Sequence, residues 1–473
     1  MTLPTDFVVR LNRSTRVIDG GGALIGGSPT RFVRLSPKAQ GALVDGQVHA
    51  HTPTGAALAD KLLELGMADP VLSVLTEIER DYTIVIPVMN RPDALARLLD
   101  SVLEATAPSH PRIVVVDDAS TDPHAIEGVA RSRGAEFLPL KKNVGPGGAR
   151  NAGLARVATE FVVFLDSDVI INASTIPTLL KHFADPKVGL VAPRISALVS
   201  GSADATWVAR YEEINSSLDL GPHPSAIKPR STMSWAPAAA LAARTAALNG
   251  GFDATMRMGE DVDLVWRLSK AGWRIRYEPT AIAMHDHRVG FAEWFSRKQA
   301  YGTGAVPLAR RHPEAIVPAI LAPWGVGVMA ALIAQRKWSL PVAIGIALIA
   351  SIRGSRRLSS ANHPQALSLS LTARGLGSVY TQTSALFLRH WWPLTLMGCL
   401  FSKRIRRATL ALAVIDTGRE YLRRAPRLDP VRYGIARRLD DIAYGSGVWL
   451  ASLRARNFSA LRLEVTRTEK DPT

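Results

Sequence analysis

Three continuous apolar runs of strand length mark the first half of the chain: residues 83–88 (TIVIPV), 112–116 (RIVVV) and 160–165 (EFVVFL). Runs without polar alternation suit strands covered on both faces, as in parallel sheets. Between the first two, Leu95, Leu98, Leu99 and Val102 recur at helical spacing. Strand, helix, strand, helix in that order predicts a doubly wound α/β sheet, with ligands at the carboxyl ends of its strands.

The flanks are patterned differently. Residues 7–11, 15–19 and 31–35 are short strand-like pieces between Gly-rich turns. Ser36-Pro37 is a helix start. Thr54 is expected to cap a second helix with Leu58, Leu62 and Leu65 on its apolar face and Gly66 as its stop. The spacing predicts a small winged-helix-like module over residues 1–80. After Pro313, residues 316–334 and 338–352 carry no charge, and Gln335-Arg336-Lys337 separates them. A third apolar stretch, 386–401, contains Arg389 and His390. At about 1.5 Å per residue the first run barely reaches across a bilayer and the second falls short. Pro318, Pro323 and Pro341 interrupt them, and two spans would put Arg336-Lys337 on the disfavoured side. Re-entrant or interfacial helices are expected. The divisions predicted are 1–80, a central domain over 81–312, and a helical region over 313–473.

An apolar content of 47% with 21% charged residues excludes global disorder. The single cysteine, Cys399, excludes an internal disulfide framework and fits a reducing compartment. The start, MTLPTDFVVR, lacks a basic head followed by an apolar core, so no secretory signal is expected. The net charge of +16 is unevenly placed. Residues 1–312 hold 34 basic and 32 acidic side chains; residues 313–473 hold 23 and 9. Such a tail suits nucleic acid or an anionic membrane surface. No helix-turn-helix, zinc or RNA-module signature accompanies it, so no nucleic-acid partner is expected. The segment 401–426 interleaves basic and apolar residues, and Trp324, Trp338, Trp391 and Trp392 suit an interfacial belt. The tail is therefore expected at the cytoplasmic face of the membrane.

The chemistry-bearing residues follow the strands. Asp117-Asp118-Ala119-Ser120 ends the run 112–116; a carboxylate there can accept hydrogen bonds from a nucleotide, or simply cap a turn. NVGPGGARNAG (143–153) supplies glycines for close backbone approach and Arg150 for a diphosphate, or else the cap of a helix. It is not a dinucleotide fingerprint, and no phosphate-loop NTPase motif occurs. Asp166-Ser167-Asp168 leaves the run 160–165 directly, and two carboxylates there suit Mg2+ or Mn2+. Glu260-Asp261 opens a helical segment and offers a general base, although acids at a helix start also suit its dipole. His285-Asp286-His287 follows a β-like stretch at 281–284 and offers a metal ligand or a structural histidine.

In this order the motifs resemble those of family 2 glycosyltransferases of the GT-A fold, across residues 82–312. The resemblance implies a mixed, doubly wound sheet with Pro87 and Asp118 at the nucleotide base. Arg150 is expected near the base and diphosphate, Asp166 at the sugar nucleotide, Asp166 and Asp168 at a Mn2+ or Mg2+ ion, and Asp261 as the base of an inverting transfer. His285 stands where some members place a third metal ligand. No Q-x-x-R-W motif follows Asp261, which argues against a long-chain polysaccharide synthase. The segments RFVRLSPKAQGAL, NVGPGGARNAGLARVATEFVVFLDSD, GGFDATMRMGEDVDLVWRL and HDHRVGFAEWFSRKQAYGTGAVPLARRHP resemble one subgroup of the family, which implies transfer of glucose from UDP-glucose to a peptide-derived redox cofactor, building a short β-1,4-glucan. Residues 31–42 and 55–67 resemble peptide-recognition winged-helix domains; the bland alternative is a structural cap. Rival readings are a transferase acting on a polyprenol-phosphate or other lipid-linked acceptor, and a catalytically silent nucleotide-binding scaffold.

Overall fold

The computed structural model describes residues 2–75, 81–107, 109–198, 206–286, 290–316 and 318–466. Two compact units emerge: Met1–Gly201 with Asn215–His287, and Ser202–Ile214 with Arg288–Thr473. The first joins the N-terminal module to the central sheet. Residues 290–312, expected with the central domain, instead belong with the C-terminal helices.

In the first unit the apolar runs become the strands Tyr82–Val88, Arg112–Asp117 and Phe161–Leu165. The first pairs in parallel with both others, and Glu136–Pro139 extends the parallel half. Ala240–Arg244 then adds antiparallel to Phe161–Leu165, and Val188–Ala197 and Arg274–His285 continue the sheet. The result is a mixed α/β sheet with helices packed on it. Leu95, Leu98, Leu99 and Val102, all buried on helix Pro92–Ala105, meet the Tyr82–Val88 side chains in one continuous core.

The N-terminal module folds as a four-stranded and a three-stranded sheet with helices Pro37–Ala42 and Pro53–Glu64. Ser36 caps the first helix as expected. The second is capped by Thr52, whose hydroxyl accepts from Gly55 N at 3.0 Å, and not by Thr54. Pro53 explains the shift: proline is favoured at the first helical position, which makes its predecessor the cap. Buried charge ties the module to the sheet. Asp60 accepts from Lys187 at 2.8 Å and from Arg274 at 2.7 Å, and Arg274 reaches Asp185 at 2.7 Å. Burial opposes ionisation of Asp60, but hydrogen bonds and charge from Lys187 and Arg274 hold its pKa below the usual value.

The second unit is helical, with Phe291–Thr303, Ala305–Arg311, Pro323–Ala334, Ser339–Arg357, Pro364–Ala385, Trp392–Phe401, Lys403–Arg424 and Pro430–Ala455 as its main helices. The uncharged run from residue 316 is helical only over Pro323–Ala334, and the run 386–401 is broken by a π-turn at Leu386–His390. Among the described residues, no helix is long and apolar enough to cross a membrane. Phe291–Thr303 and Pro430–Ala455 cross where Gly302 faces Gly447. A Cβ on Gly447 would stand 1.9 Å from Gln299 O. Beneath this crossing Lys298 is buried against Glu212 at 2.8 Å and Asp440 at 3.5 Å.

Candidate active site

The sheet's carboxyl edge gathers most of the expected residues, with partners the sequence did not reveal. Asp117 is buried at the end of its strand, and its Oδ1 accepts from Ser120 N at 3.1 Å and Ser120 Oγ at 2.5 Å. Ala119 completes this turn at φ +61°, in the left-handed region that costs a side chain about 1–2 kcal/mol. The neighbouring turn is bound to it: Asn90 N donates to Ser120 Oγ, and Asn90 Oδ1 accepts from Thr121 N, each at 2.8 Å. Pro87 is half-buried beside Val116. The ladder on its other side ends at Val85, so proline's missing N–H is tolerated there.

Asp118 was expected at a nucleotide base. Both its oxygens accept main-chain amides, from Val144 at 2.7 Å and Gly145 at 2.9 Å. It thereby fastens the start of helix Gly145–Leu154. The glycines of this segment serve helix packing. A Cβ on Gly153 would stand 2.3 Å from Val85 Cγ1, and one on Gly147 would stand 3.3 Å from Glu260 Cγ. Glycine lets the helix lie directly on the sheet and beside the acidic motif.

Arg150 departs furthest from expectation. Its side chain is 3% exposed, and protein groups hold both terminal nitrogens, while the buried Nε has no hydrogen-bond partner among the described residues. One nitrogen meets Asp166 Oδ1 at 2.5 Å and Ala238 O at 3.3 Å, and another meets Glu260 Oε1 at 3.0 Å. Its guanidinium also lies over the Phe252 ring at 5.3 Å. A cation this deep needs paired carboxylates. Arg150 finds one from each acidic motif and so links Asp166 to Glu260.

Asp168 forms a second knot. It pairs with Arg91, and its Oδ1 stands 3.4 Å from His285 Nε2. The register Val169↔His285 brings the histidine there. Burial works against the Asp168 carboxylate, but the His285 hydrogen bond and the charges of His285 and Arg91 hold it far below the usual range. The expected metal trio is therefore split: Asp168 and His285 meet, while Asp166 turns to Arg150. Among the described residues, no three acidic, histidine or cysteine side chains are gathered to hold a metal ion. The arrangement fits a cation held by one or two side chains and completed by substrate phosphate oxygens, the usual habit of Mg2+. His287 lies outside the described residues.

Helix Glu260–Lys270 begins with the two acids after Gly259, whose φ is +84°. Asp261 Oδ1 accepts from Val262 N at 2.8 Å and its Oδ2 from Ala238 N at 3.3 Å. Burial raises its pKa, against the lowering effects of the Val262 amide, Arg150 and the Ala238 amide. Glu260 is pushed up to about 7 by burial and by the Asp261 charge, with Arg150 opposing. Sequence reasoning passed over Arg91, and named Glu260 only beside Asp261 without its tie to Arg150. The signal for Glu260 was its place beside Asp261, and for Arg91 its place just past the end of the first strand.

The family model described as glycosyl transferase family 2 matches residues 83–231, and that of glycosyl transferase family group 2 matches residues 161–405. A pre-mycofactocin glycosyltransferase of Mycobacterium tuberculosis is 40% identical over 479 aligned residues, covering 98% of each chain. A poly-beta-1,6-N-acetyl-D-glucosamine synthase of Staphylococcus aureus is 26% identical over 42% of this chain and 48% of its own. Among solved structures, a mannosyltransferase of Pyrobaculum calidifontis in complex with GDP-mannose and Mn2+ aligns with TM-score 0.38 and 20% identity, over 65% of this chain and 89% of that one.

Proposed function

The chain belongs to glycosyltransferase family 2, and we propose that it moves glucose from UDP-glucose onto a hydroxyl of a peptide-derived redox cofactor precursor, pre-mycofactocin, building a short β-1,4-glucan. One observation carries the choice of acceptor: the identity to the Mycobacterium tuberculosis relative runs through the whole chain, both flanks included.

Asp261 takes the proton of the acceptor hydroxyl as that oxygen attacks the anomeric carbon, and direct displacement inverts the carbon. Burial raises its proton affinity, which suits a base that must work near neutral pH. Glu260 and Arg150 fix its position relative to Asp166, which receives the sugar nucleotide. Pro87 and the turn fastened by Asp118 frame the place for the base. Asp168 and His285 would hold Mn2+ or Mg2+, which would supply charge neutralisation at the departing diphosphate. A location on the anionic cytoplasmic face of the membrane is part of this proposal, supported by the basic charge and exposed apolar side chains of the C-terminal helices.

The test is incubation of the full chain with a panel of sugar nucleotides and acceptors, read by mass spectrometry. A hexose is expected on the peptide-derived acceptor from UDP-glucose alone, lost with EDTA and restored by Mn2+ or Mg2+. Transfer to polyprenol phosphate in its place would overturn the acceptor. Flotation with phosphatidylglycerol vesicles tests the location; protein left at the bottom at low salt would contradict it.

A further inference from the structure

We propose that the helical unit holds the acyl chain of one anionic membrane lipid in an apolar pocket, with the lipid headgroup at Arg407. The pocket is a cavity of about 770 Å³ whose lining residues come from helices Pro323–Ala334, Ser339–Arg357, Pro364–Ala385 and Lys403–Arg424. That volume lies within the roughly 300–1,000 Å³ of small-molecule sites. Val328, Ala343, Leu376 and Leu412 form its floor, and Arg407 is the one charged side chain among its lining residues. Leu332, Ile344, Leu348, Leu369 and Ile415 also line it, and each is between 41% and 55% exposed. A cavity walled by aliphatic side chains and left open to water is stabilised by an apolar occupant.

The surrounding charge selects the kind of occupant. Every lining residue falls within residues 315–415, a stretch with no aspartate or glutamate and 11 lysines and arginines. Gln335, which lines the pocket, donates to Arg404 O at 2.7 Å. That bond brings the Arg336-Lys337 loop to the start of helix Lys403–Arg424, where Lys403, Arg404, Arg406 and Arg407 cluster. Cations in a first turn oppose the helix dipole, so they do not serve the helix itself. They leave an anionic head and an apolar tail as the matching ligand. A nucleic acid would leave the cavity unfilled, and a second copy of this chain would present the same positive surface. The proposal extends the membrane-surface reading above from adsorption to capture of a single lipid.

The probe is cis-parinaric acid, a long anionic chain whose fluorescence rises in apolar surroundings, titrated into the full-length protein. Saturable binding of one chain per protein is expected, displaced by phosphatidylglycerol more readily than by phosphatidylcholine. Ala347→Phe, which fills the pocket from a half-buried wall position, should weaken binding at least tenfold with an unchanged thermal midpoint. Should that variant unfold, Ala411→Phe fills the pocket from the exposed wall. Arg407→Glu should weaken binding roughly fivefold to tenfold. Non-saturable binding, or wild-type affinity in a folded pocket-filling variant, would overturn the proposal. If parinarate fails to bind while vesicle flotation persists, the pocket is wrong and surface adsorption stands. If both fail, both readings fall.

Discussion

The two units solve opposite problems with their apolar residues. Of the 29 large hydrophobic side chains exposed among the described residues, 24 belong to the helical unit and five to the sheet unit. The sheet unit packs the strands and flanking helices of its central sheet around one large core, and its N-terminal module around a second. The helical unit has several small clusters and a skin of Leu, Ile and Val. Both units bury paired charge, Arg150 and Arg274 in the sheet unit and Lys298 in the helical unit, but the exposed start of helix Lys403–Arg424 carries only cations.

The comparison can be broken most sharply at Arg150. Arg150→Met leaves Asp166 and Glu260 without their cation, and the expected cost is about 3–5 kcal/mol of stability, with loss of transfer, measured by urea unfolding. Next is Asp261→Asn, which should lower transfer about 10²–10⁴-fold while sugar-nucleotide binding by calorimetry is kept. Full turnover in that variant would remove Asp261 as the base. Glu260 gives a smaller, pH-dependent effect. Its folded pKa of about 7 lies above the ordinary 4.5, so its proton stabilises the fold at low pH. That contribution is complete below about pH 4.5 and is lost as pH rises through 7, roughly 3 kcal/mol in all. Glu260→Gln should flatten this slope in thermal melts at stepped pH. The smallest stability effect is expected in the helical unit. Leu400 and Phe401 are 71% and 86% exposed, and replacing both with serine should change stability by less than about 0.5 kcal/mol while weakening vesicle flotation. A large loss of stability there would show that this face is buried in the working enzyme.

The sheet and its acidic edge were legible because their signals are local. An uninterrupted apolar run specifies a covered strand, and the polar residue that ends it must stand at the strand's end. Leu95, Leu98, Leu99 and Val102 are buried as their spacing required. What the sequence hid depends on long-range pairing. Arg150 and Glu260 are 110 positions apart, and no spacing rule joins them. The amides that Asp118 accepts were hidden in the same way, because they lie 26 and 27 residues downstream. The placement of 290–312 was hidden for the same reason: helix Phe291–Thr303 follows the last strand of the sheet, yet Gly302 and Lys298 match partners near the end of the chain. Thr54 was misjudged more simply, because Pro53 already defined the cap.

The bridge made by Arg150 has a consequence for evolution and engineering. Asp166 and Glu260 share one cation, so substitutions in the donor motif and in the base motif are epistatic even though the two segments never adjoin in sequence. A change at Asp166 meant to retune the choice of sugar would also release Arg150 toward Glu260 and reset the acidity beside Asp261. With the roles proposed for Asp166 and Asp261, donor preference and acceptor activation would drift together, and neither could be optimised by varying its own motif alone.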